Sequence, residues 1–394
     1  MRVSFPLARM RAGNLRPALV AGAASAALAL SACSSAPTAS GGGATAAASG
    51  SGGVTMTAAQ EIAAAGATSS TAFCGTKKIT IGVQDGFGVN AWSRASMAAV
   101  LSEAAKCPNV KTVVQIGEGS LQTSLSQINS MVAQQVSALV VIPDFGQSEL
   151  PALRSAMQAG VKVVAWAADP GGKAGQDYLS YVDWDPAEAG TLWAQWMVKA
   201  LNGKGNVVFV GGPAGNPVTT GQLGAITKVF AANPGMKLLT GDSSWPVTNW
   251  DPATAQQVMS SLLAKYSQID GVISDYGTDA LAETQAFSAA GRSLVPMATL
   301  EANGLGCLYQ KDKSTQTSFN LATVSSRNWL GRVAARQAIA AAEGVPENEP
   351  SIYALPLIED SLGSAAPTCN SSAPQDFYNS NQLTVAQLSE YGKP

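Results

Sequence analysis

Gln127-Ile-Asn-Ser-Met-Val-Ala-Gln-Gln-Val-Ser-Ala-Leu-Val-Val-Ile-Pro143 decides the fold. Its first half continues a helical pattern over 121–136, and its second half, 138–142, is apolar at every position. A strand apolar at consecutive rather than alternate positions is buried on both faces, as in a parallel sheet covered by helices. The same step recurs on either side. Ile79-Thr-Ile-Gly-Val precedes a helix over 91–106, a strand at 110–116 precedes the helix at 121–136, and a helix at 149–159 leads to Val161-Lys-Val-Val-Ala-Trp166. Repeating strand–helix units predict a doubly wound α/β fold with right-handed crossovers.

A second series follows a strand at 178–182. A helix over 186–201 has Pro186 in its first turn, where proline is favoured. Strands at 207–210, 237–239 and 271–274 precede helices at 218–232, 252–266 and 278–290, followed by a strand at 294–300. A strand at 315–321 leads to a long helix over 328–343, and the turn-rich segment 361–394 offers a short helix at 384–391. Two parallel-sheet domains of similar size suit this length better than one ten-strand sheet.

The N-terminal end reads as an address. Arg2, Arg9, Arg11 and Arg16 precede an uncharged run over 17–30, closed by Leu30-Ser31-Ala32-Cys33. A basic region, a short apolar run and small residues at a cut are the marks of an export signal, here 1–32. The run is too short for a bilayer span, which needs about 20 residues. Leu-Ser-Ala-Cys further resembles the lipobox of bacterial lipoproteins, which implies cleavage before Cys33 and acyl chains on it, outside the cytoplasmic membrane. Residues 33–72 are almost all Ser, Ala, Gly and Thr, with Glu61 their only charge. Such a segment buries too little apolar surface to order itself, so it reads as a disordered tether of roughly 35 Å reach, with at most a transient helical turn at 62–65.

Composition excludes several classes. Removing 1–32 takes four arginines from the 24 Lys+Arg, leaving 20 against 26 Asp+Glu and a net charge of −6. With no basic block, nucleic acid is not an expected partner. The chain has no histidine, which removes Ser-His-Asp and Cys-His activation and every His-containing zinc site. No C-x-x-C pair marks a metal site, and no cofactor is expected. Gly86-Phe-Gly88 and Gly211-Gly-Pro-Ala-Gly215 lack the Walker ending and a full G-x-G-x-x-G, so they read as turn glycines. Cys74, Cys107, Cys307 and Cys369 are even in number in an exported chain, where disulfides persist. Cys74 before the first strand and Cys107 after the first helix are near in a strand–helix–strand unit. That favours Cys74–Cys107 and Cys307–Cys369 among three connectivities, with four buried thiols as the alternative.

With these segments placed, the chain resembles the ribose-type (type I) class of periplasmic sugar-binding proteins, the solute receptors of ABC importers. The carrying stretches are Ile79-Thr-Ile-Gly-Val with Asn90-Ala-Trp92, the 127–143 run, Ala156-Met-Gln-Ala-Gly-Val-Lys-Val-Val, Asp185-Pro-Ala-Glu-Ala-Gly190, Gly203-Lys-Gly-Asn-Val-Val and Tyr266-Ser-Gln-Ile-Asp-Gly-Val-Ile-Ser. The resemblance implies two lobes joined by three crossings, with a sugar-like ligand held in the cleft. The first lobe would be 77–184 plus 326–345 and the second 185–325 plus 350–360, with hinges near 184–186, 325 and 345–351. A tail, 361–394, would follow. It further implies a monomer that captures a small molecule by lobe closure and passes it to an ABC permease, with no catalysis.

Sugars present apolar C–H faces and a rim of hydroxyls, so flat aromatic plates and in-plane polar groups are the expected recognition set. Trp193 and Trp196 share a helix with Leu192, Met197 and Leu201 and read as core. Trp92 occupies the family's stacking position, and Asn90 beside it is either a ligand group or only the helix N-cap. Trp166, Trp184 and Trp250 fall where the family lines its cleft or are ordinary packing. Asp144 with Phe145, Asp275 with Tyr276, and Glu301 follow strands; Arg94 reaches the cleft or faces water. The arginine that the resemblance implies near 219–222 is absent, and the family's Asn-Asp and Phe-Asp pairs read Asp275-Tyr276 and Leu300-Glu301. These departures speak against ribose and for another sugar or polyol. A sensor of the same fold is the first alternative, and a carbohydrate-active enzyme using two cleft carboxylates is the second.

Overall fold

Apolar strands and helices alternate along the chain in a computed structural model that describes residues 54–66 and 70–393. The expected export signal 1–32, Cys33 and the part of the expected tether up to 53 lie outside the described residues. A short strand β1 (Val54–Thr55) and helix α1 (Ala58–Ala65) come first. The first series is β2 (Ile79–Asp85), α2 (Ala91–Ala104), β3 (Val110–Ile116), α3 (Leu121–Ala133), β4 (Ala138–Ile142), α4 (Leu150–Gln158), β5 (Lys162–Trp166) and β6 (Ser180–Trp184). The second is α5 (Pro186–Ala200), β7 (Gly205–Val210), α6 (Pro217–Ala231), β8 (Met236–Leu238), α7 (Pro252–Lys265), β9 (Gly271–Ser274), α8 (Gly277–Ala289), β10 (Met297–Leu300), α9 (Asn303–Asp312) and β11 (Leu321–Val324). Then follow α10 (Leu330–Glu343), β12 (Ile352–Ala354), β13 (Leu357–Asp360) and α11 (Val385–Tyr391).

These strands build a seven-stranded sheet in the order β1-β12-β6-β5-β4-β2-β3 and a six-stranded sheet in the order β13-β11-β10-β9-β7-β8. All pairs are parallel except β11 with β13. Five of the helices that follow strands start at built caps. Side chains of Asn90, Ser120, Asp185, Asn216 and Asp251 accept first-turn N–H groups of α2, α3, α5, α6 and α7, each contributing about 1 kcal/mol. Trp193 and Trp196 are core, as their helical spacing predicts; their indole N–H groups donate to the Thr299 carbonyl (3.0 Å) and to Asp360 Oδ1 (2.7 Å). The disulfides are Cys74–Cys107 and Cys307–Cys369, with Cα separations of 5.3 and 4.5 Å.

Four sequence expectations need correction. The strand expected at 315–321 forms at Leu321–Val324, because the polar Thr315–Ser318 stretch cannot fill a position buried on both faces. Helix α9 escaped notice, being short and rich in glycine and polar residues. Residues 350–360 do not all join the second lobe: β12 pairs with β6 in the first sheet while β13 pairs with β11 in the second. The third crossing is therefore Leu355-Pro356, not 345–351. Finally, the disorder expected over 33–72 does not hold for 54–66. Thr57 and Gln60 form a capping box for α1, Met56 N–H donates to the Ala354 carbonyl at 3.1 Å, and Glu61 and Ala65 are fully buried. Tertiary burial supplies what the local composition lacks.

The Glu61 carboxyl accepts the Trp329 indole N–H at 3.2 Å, and burial pushes its pKa up to about 7. A carboxyl that binds its proton more tightly when folded loses stability as pH rises from the unfolded value, about 4.5, through about 7. Glu61→Gln keeps the acceptor without the buried charge. It is expected to raise the unfolding free energy at pH 8 by on the order of 2 kcal/mol and to change it little at pH 4.5. Urea titrations at the two pH values check this; an equal loss at both would contradict it.

Candidate functional site

The carboxyl ends of the strands from both sheets open on one pocket, whose empty space including its open mouth is about 480 Å³. In open α/β sheets that is where loops are free to present side chains. Asp85 ends β2, Asp144 follows β4, Asp275 and Tyr276 follow β9, and Leu300 ends β10; all line the pocket. Phe87 and Trp92 come from the first lobe and Trp250 from the second, and Phe87 meets Trp250 edge-on at 5.4 Å. The Trp92 ring is fixed by its N–H to the Ser326 carbonyl (2.7 Å) and by Trp166 stacked behind it at 5.8 Å. Trp250 is aimed by backbone geometry: Asn249 and Trp250 have φ of 56° and 52°, in the left-handed region that non-glycine residues seldom adopt. Its indole lies over Gly212, where a Cβ would meet the ring at 2.1 Å.

The polar groups are arranged around those plates. Asp275 accepts from Trp250 Nε1 (3.2 Å), Thr219 Oγ1 (2.5 Å) and Gly212 N–H (3.0 Å), and burial raises its pKa to about 6. Asp85 Oδ1 accepts the Phe87 N–H at 2.9 Å, while Asp85 Oδ2 and Asp144 Oδ2 are buried and without a protein partner. Burial, then repulsion from Asp85 and Glu149, pushes Asp144 well above the usual carboxylate range. A carboxyl that keeps its proton both donates and accepts, which suits a hydroxyl group. Asn90 serves in two ways. Its Oδ1 caps α2 through Ser93 N–H at 2.9 Å, and the residue also lines the pocket.

Arg327 completes the site from the second crossing, with φ of 56°. Its Nε donates to Asp183 Oδ1 and its Nη2 to the Ala167 carbonyl, both at 3.0 Å. The guanidinium lies between two indoles, 5.1 Å from the Trp92 centroid and 4.9 Å from that of Trp184. Lobe-to-lobe contacts close the cleft: Trp92 N–H donates to the Tyr276 hydroxyl at 3.2 Å and Asn216 Nδ2 to the Asp144 carbonyl at 3.3 Å.

A protein-family model described as a periplasmic binding protein domain matches residues 81–345. The chain belongs to that family. It is 30% identical over 241 residues to the xylitol-binding protein of Mycolicibacterium smegmatis, covering 61% of this chain and 66% of that protein. It is 28% identical over 220 residues to the D-xylose-binding periplasmic protein of Escherichia coli, covering 55% and 64%. The match thus spans a little under two thirds of these curated relatives. Among solved structures, the periplasmic binding protein component of the Shewanella sp. ANA-3 arabinose transporter superposes with a TM-score of 0.62 at 20% identity, over 70% of this chain and 90% of that one. An ABC sugar transporter subunit from Rhodobacter sphaeroides gives 0.62 at 19%, over 73% and 99%. These likenesses show the fold, and the family consists of binding proteins.

In this periplasmic binding protein, six of the candidates, Asn90, Trp92, Asp144, Trp250, Asp275 and Tyr276, line the one pocket. Five other candidates lie elsewhere. Arg94 pairs with Asp376 at 2.9 Å, both side chains 41% exposed. Glu301 is buried, its two oxygens are bonded by Ser326 and Ser380 donors, and it does not line the pocket. Phe145 does not line the pocket; its N–H donates to Glu149 Oε2 at 2.9 Å. Trp166 and Trp184 are buried one layer behind, against Trp92 and Arg327. Asp85, Phe87 and Arg327 went unpredicted. The first two follow an anticipated strand and were findable as strand-end residues, whereas Arg327 carries no local signal. Among the described residues, no group of three or more His, Cys, Asp or Glu could hold a metal, and no helix is long and apolar enough to cross a membrane.

Removing one partner of a buried ion pair strands the other charge. Arg327→Met is expected to lower the unfolding free energy by about 3 kcal/mol, and adding Asp183→Asn should recover part of that loss. Urea denaturation of both variants measures this; a neutral Arg327→Met would contradict the pairing.

Proposed function

We propose that this protein captures a neutral sugar or polyol by closing its two lobes and delivers it to an ABC permease. The observation that carries the reading is the pairing of Phe87 and Trp92 from one lobe with Trp250 and Tyr276 from the other around a single polar-rimmed pocket. Aromatic plates cover C–H faces, while Asp85, Asn90, Asp144 and Asp275 provide both donors and acceptors for hydroxyls. Arg327, among the described residues the one cation lining the pocket, is already paired with Asp183, so an anionic ligand would meet three carboxyls without a free counter-charge. The names of the xylitol- and D-xylose-binding relatives support a five-carbon sugar or polyol.

The same reading places the protein outside the cytoplasmic membrane as a monomer, held by lipid on Cys33. Two disulfides accord with an oxidising compartment, and a tether keeps the receptor near its permease. The stretch Thr219-Thr220-Gly221-Gln222, which has no arginine where the resemblance implies one, supports a ligand other than ribose.

A thermal-shift screen of the protein against xylitol, D-xylose, L-arabinose, myo-inositol and nucleosides tests this, since a ligand that binds only the folded state raises the melting temperature. At least one sugar or polyol should do so. Trp92→Ala and Trp250→Ala should each weaken it about 3- to 10-fold, from stacking of about 0.5–1.5 kcal/mol beyond burial. Unchanged affinity in both variants, or turnover of a glycoside, would overturn the proposal.

A further inference from the structure

Residues 369–391 do not remain on the second lobe. Cys369 is bonded to Cys307 of α9. Asn303 Nδ2 then donates to the carbonyls of Asn370, Ala373 and Pro374 at 2.9, 3.2 and 3.1 Å, and its N–H donates to the Phe377 carbonyl at 2.9 Å. Beyond this point the chain changes lobes. The Arg332 guanidinium of α10 donates to the Asn381 carbonyl at 2.9 Å, and Leu383, Leu388 and Tyr391 pack on Ala98 and Ala99 of α2. The segment is thus a fourth crossing, fixed covalently to one lobe and by a small apolar cluster to the other.

Where it crosses, it holds the cleft residues. The buried Tyr378 hydroxyl donates to the Tyr276 hydroxyl at 3.1 Å, which itself accepts the Trp92 N–H from the opposite lobe. Ser380 N–H donates to Glu301 Oε2 at 2.9 Å, and its hydroxyl also bonds Glu301. Glu301 Oε1 accepts from Ser326 N–H (3.1 Å) and Oγ (2.9 Å), and the Ser326 carbonyl accepts the Trp92 indole N–H. Two chains of hydrogen bonds therefore run from the strap to Trp92, one through Tyr276 and one through Glu301.

We infer that residues 369–391 form a strap that biases the lobes toward closure, with Tyr378 and Ser380 as positioning residues for Tyr276 and Trp92. Opening the cleft separates Trp92 from Tyr276 and stretches a segment fixed at both ends, so buried donors and acceptors lose partners, which is costly. That resistance acts whether or not ligand is present. It shifts the ligand-free population toward the closed form, so a ligand meets a site that is already partly assembled. The ligand-affinity consequence rests on the proposed function; the closure consequence does not.

The test uses the ligand-free protein first. Small-angle scattering of wild type, Tyr378→Phe, Ser380→Ala and Cys307→Ser/Cys369→Ser should give a larger radius of gyration in each variant than in wild type. Melting temperature is recorded alongside. Arg94→Gln, which breaks only the exposed pair with Asp376, should leave the radius unchanged, since such pairs contribute little. Stopped-flow dissociation of xylitol or D-xylose should then be at least 3-fold faster in Tyr378→Phe and Ser380→Ala. An unchanged radius in these two, with or without a lower melting temperature, would overturn the strap, as would a wild type already as extended as the variants. If neither xylitol nor D-xylose binds wild type, the ligand assignment fails while the scattering comparison still decides on the strap.

Discussion

The guanidinium of Arg327 is the contact on which the rest of this structure depends. It belongs to the second crossing, yet it pairs with Asp183 and covers Trp184, the last residues before the first crossing. Its other face covers Trp92, which lines the cleft. One buried cation therefore ties together two crossings and a wall of the pocket. The arrangement has a physical requirement: a charge with about 5% of its surface exposed must be paired. Asp183, the Ala167 carbonyl and the two indole faces meet it. Any opening motion that rotates the second crossing must keep those partners or replace them with water.

Around that point the cleft is wired across the lobes rather than merely lined by them. Trp92 is held by the Ser326 carbonyl, the Tyr276 hydroxyl and the Asn328 amide, so its ring plane is set by residues far along the chain. The positive-φ backbone at Asn249 and Trp250 plays the corresponding part in the second lobe, seating an indole on Gly212. Strain of this kind persists where the surroundings over-determine it. The carboxyls add a second constraint. With Asp144 and Asp275 both pushed upward by burial, the pocket presents hydrogen-bonding groups of adjustable protonation and little net attraction for anions.

Much of this was legible without coordinates. Continuously apolar runs such as 138–142 can satisfy both faces only inside a helix-covered parallel sheet, so the fold class follows from them. Strand-end positions then delimit the site: Asp144, Asp275, Tyr276 and the Asn90–Trp92 pair converge for that reason. Trp193 and Trp196 were separable from cleft tryptophans by helical spacing. Cys74 and Cys107 could be paired because a strand–helix unit brings its ends together.

What the sequence could not decide are the partners that meet only after folding. Trp166 and Trp184 end strands as cleft residues would, but they lie a layer deeper, a difference of depth that periodicity does not encode. Glu301 is a strand-end carboxylate whose oxygens are bonded by Ser326 and Ser380, the latter seventy-nine positions away. Residues 54–66 look unable to order on composition, and do so because β12 and Trp329 offer them an edge and a partner. Local sequence determined which segments are strands, which helices cap them, and which loops reach the cleft, because those depend on near neighbours and on burial pattern. The choice of Arg327 as linchpin, of the tail as fourth crossing and of which carboxyls stay free belonged to tertiary structure, because each is settled by which distant group fills a buried valence first.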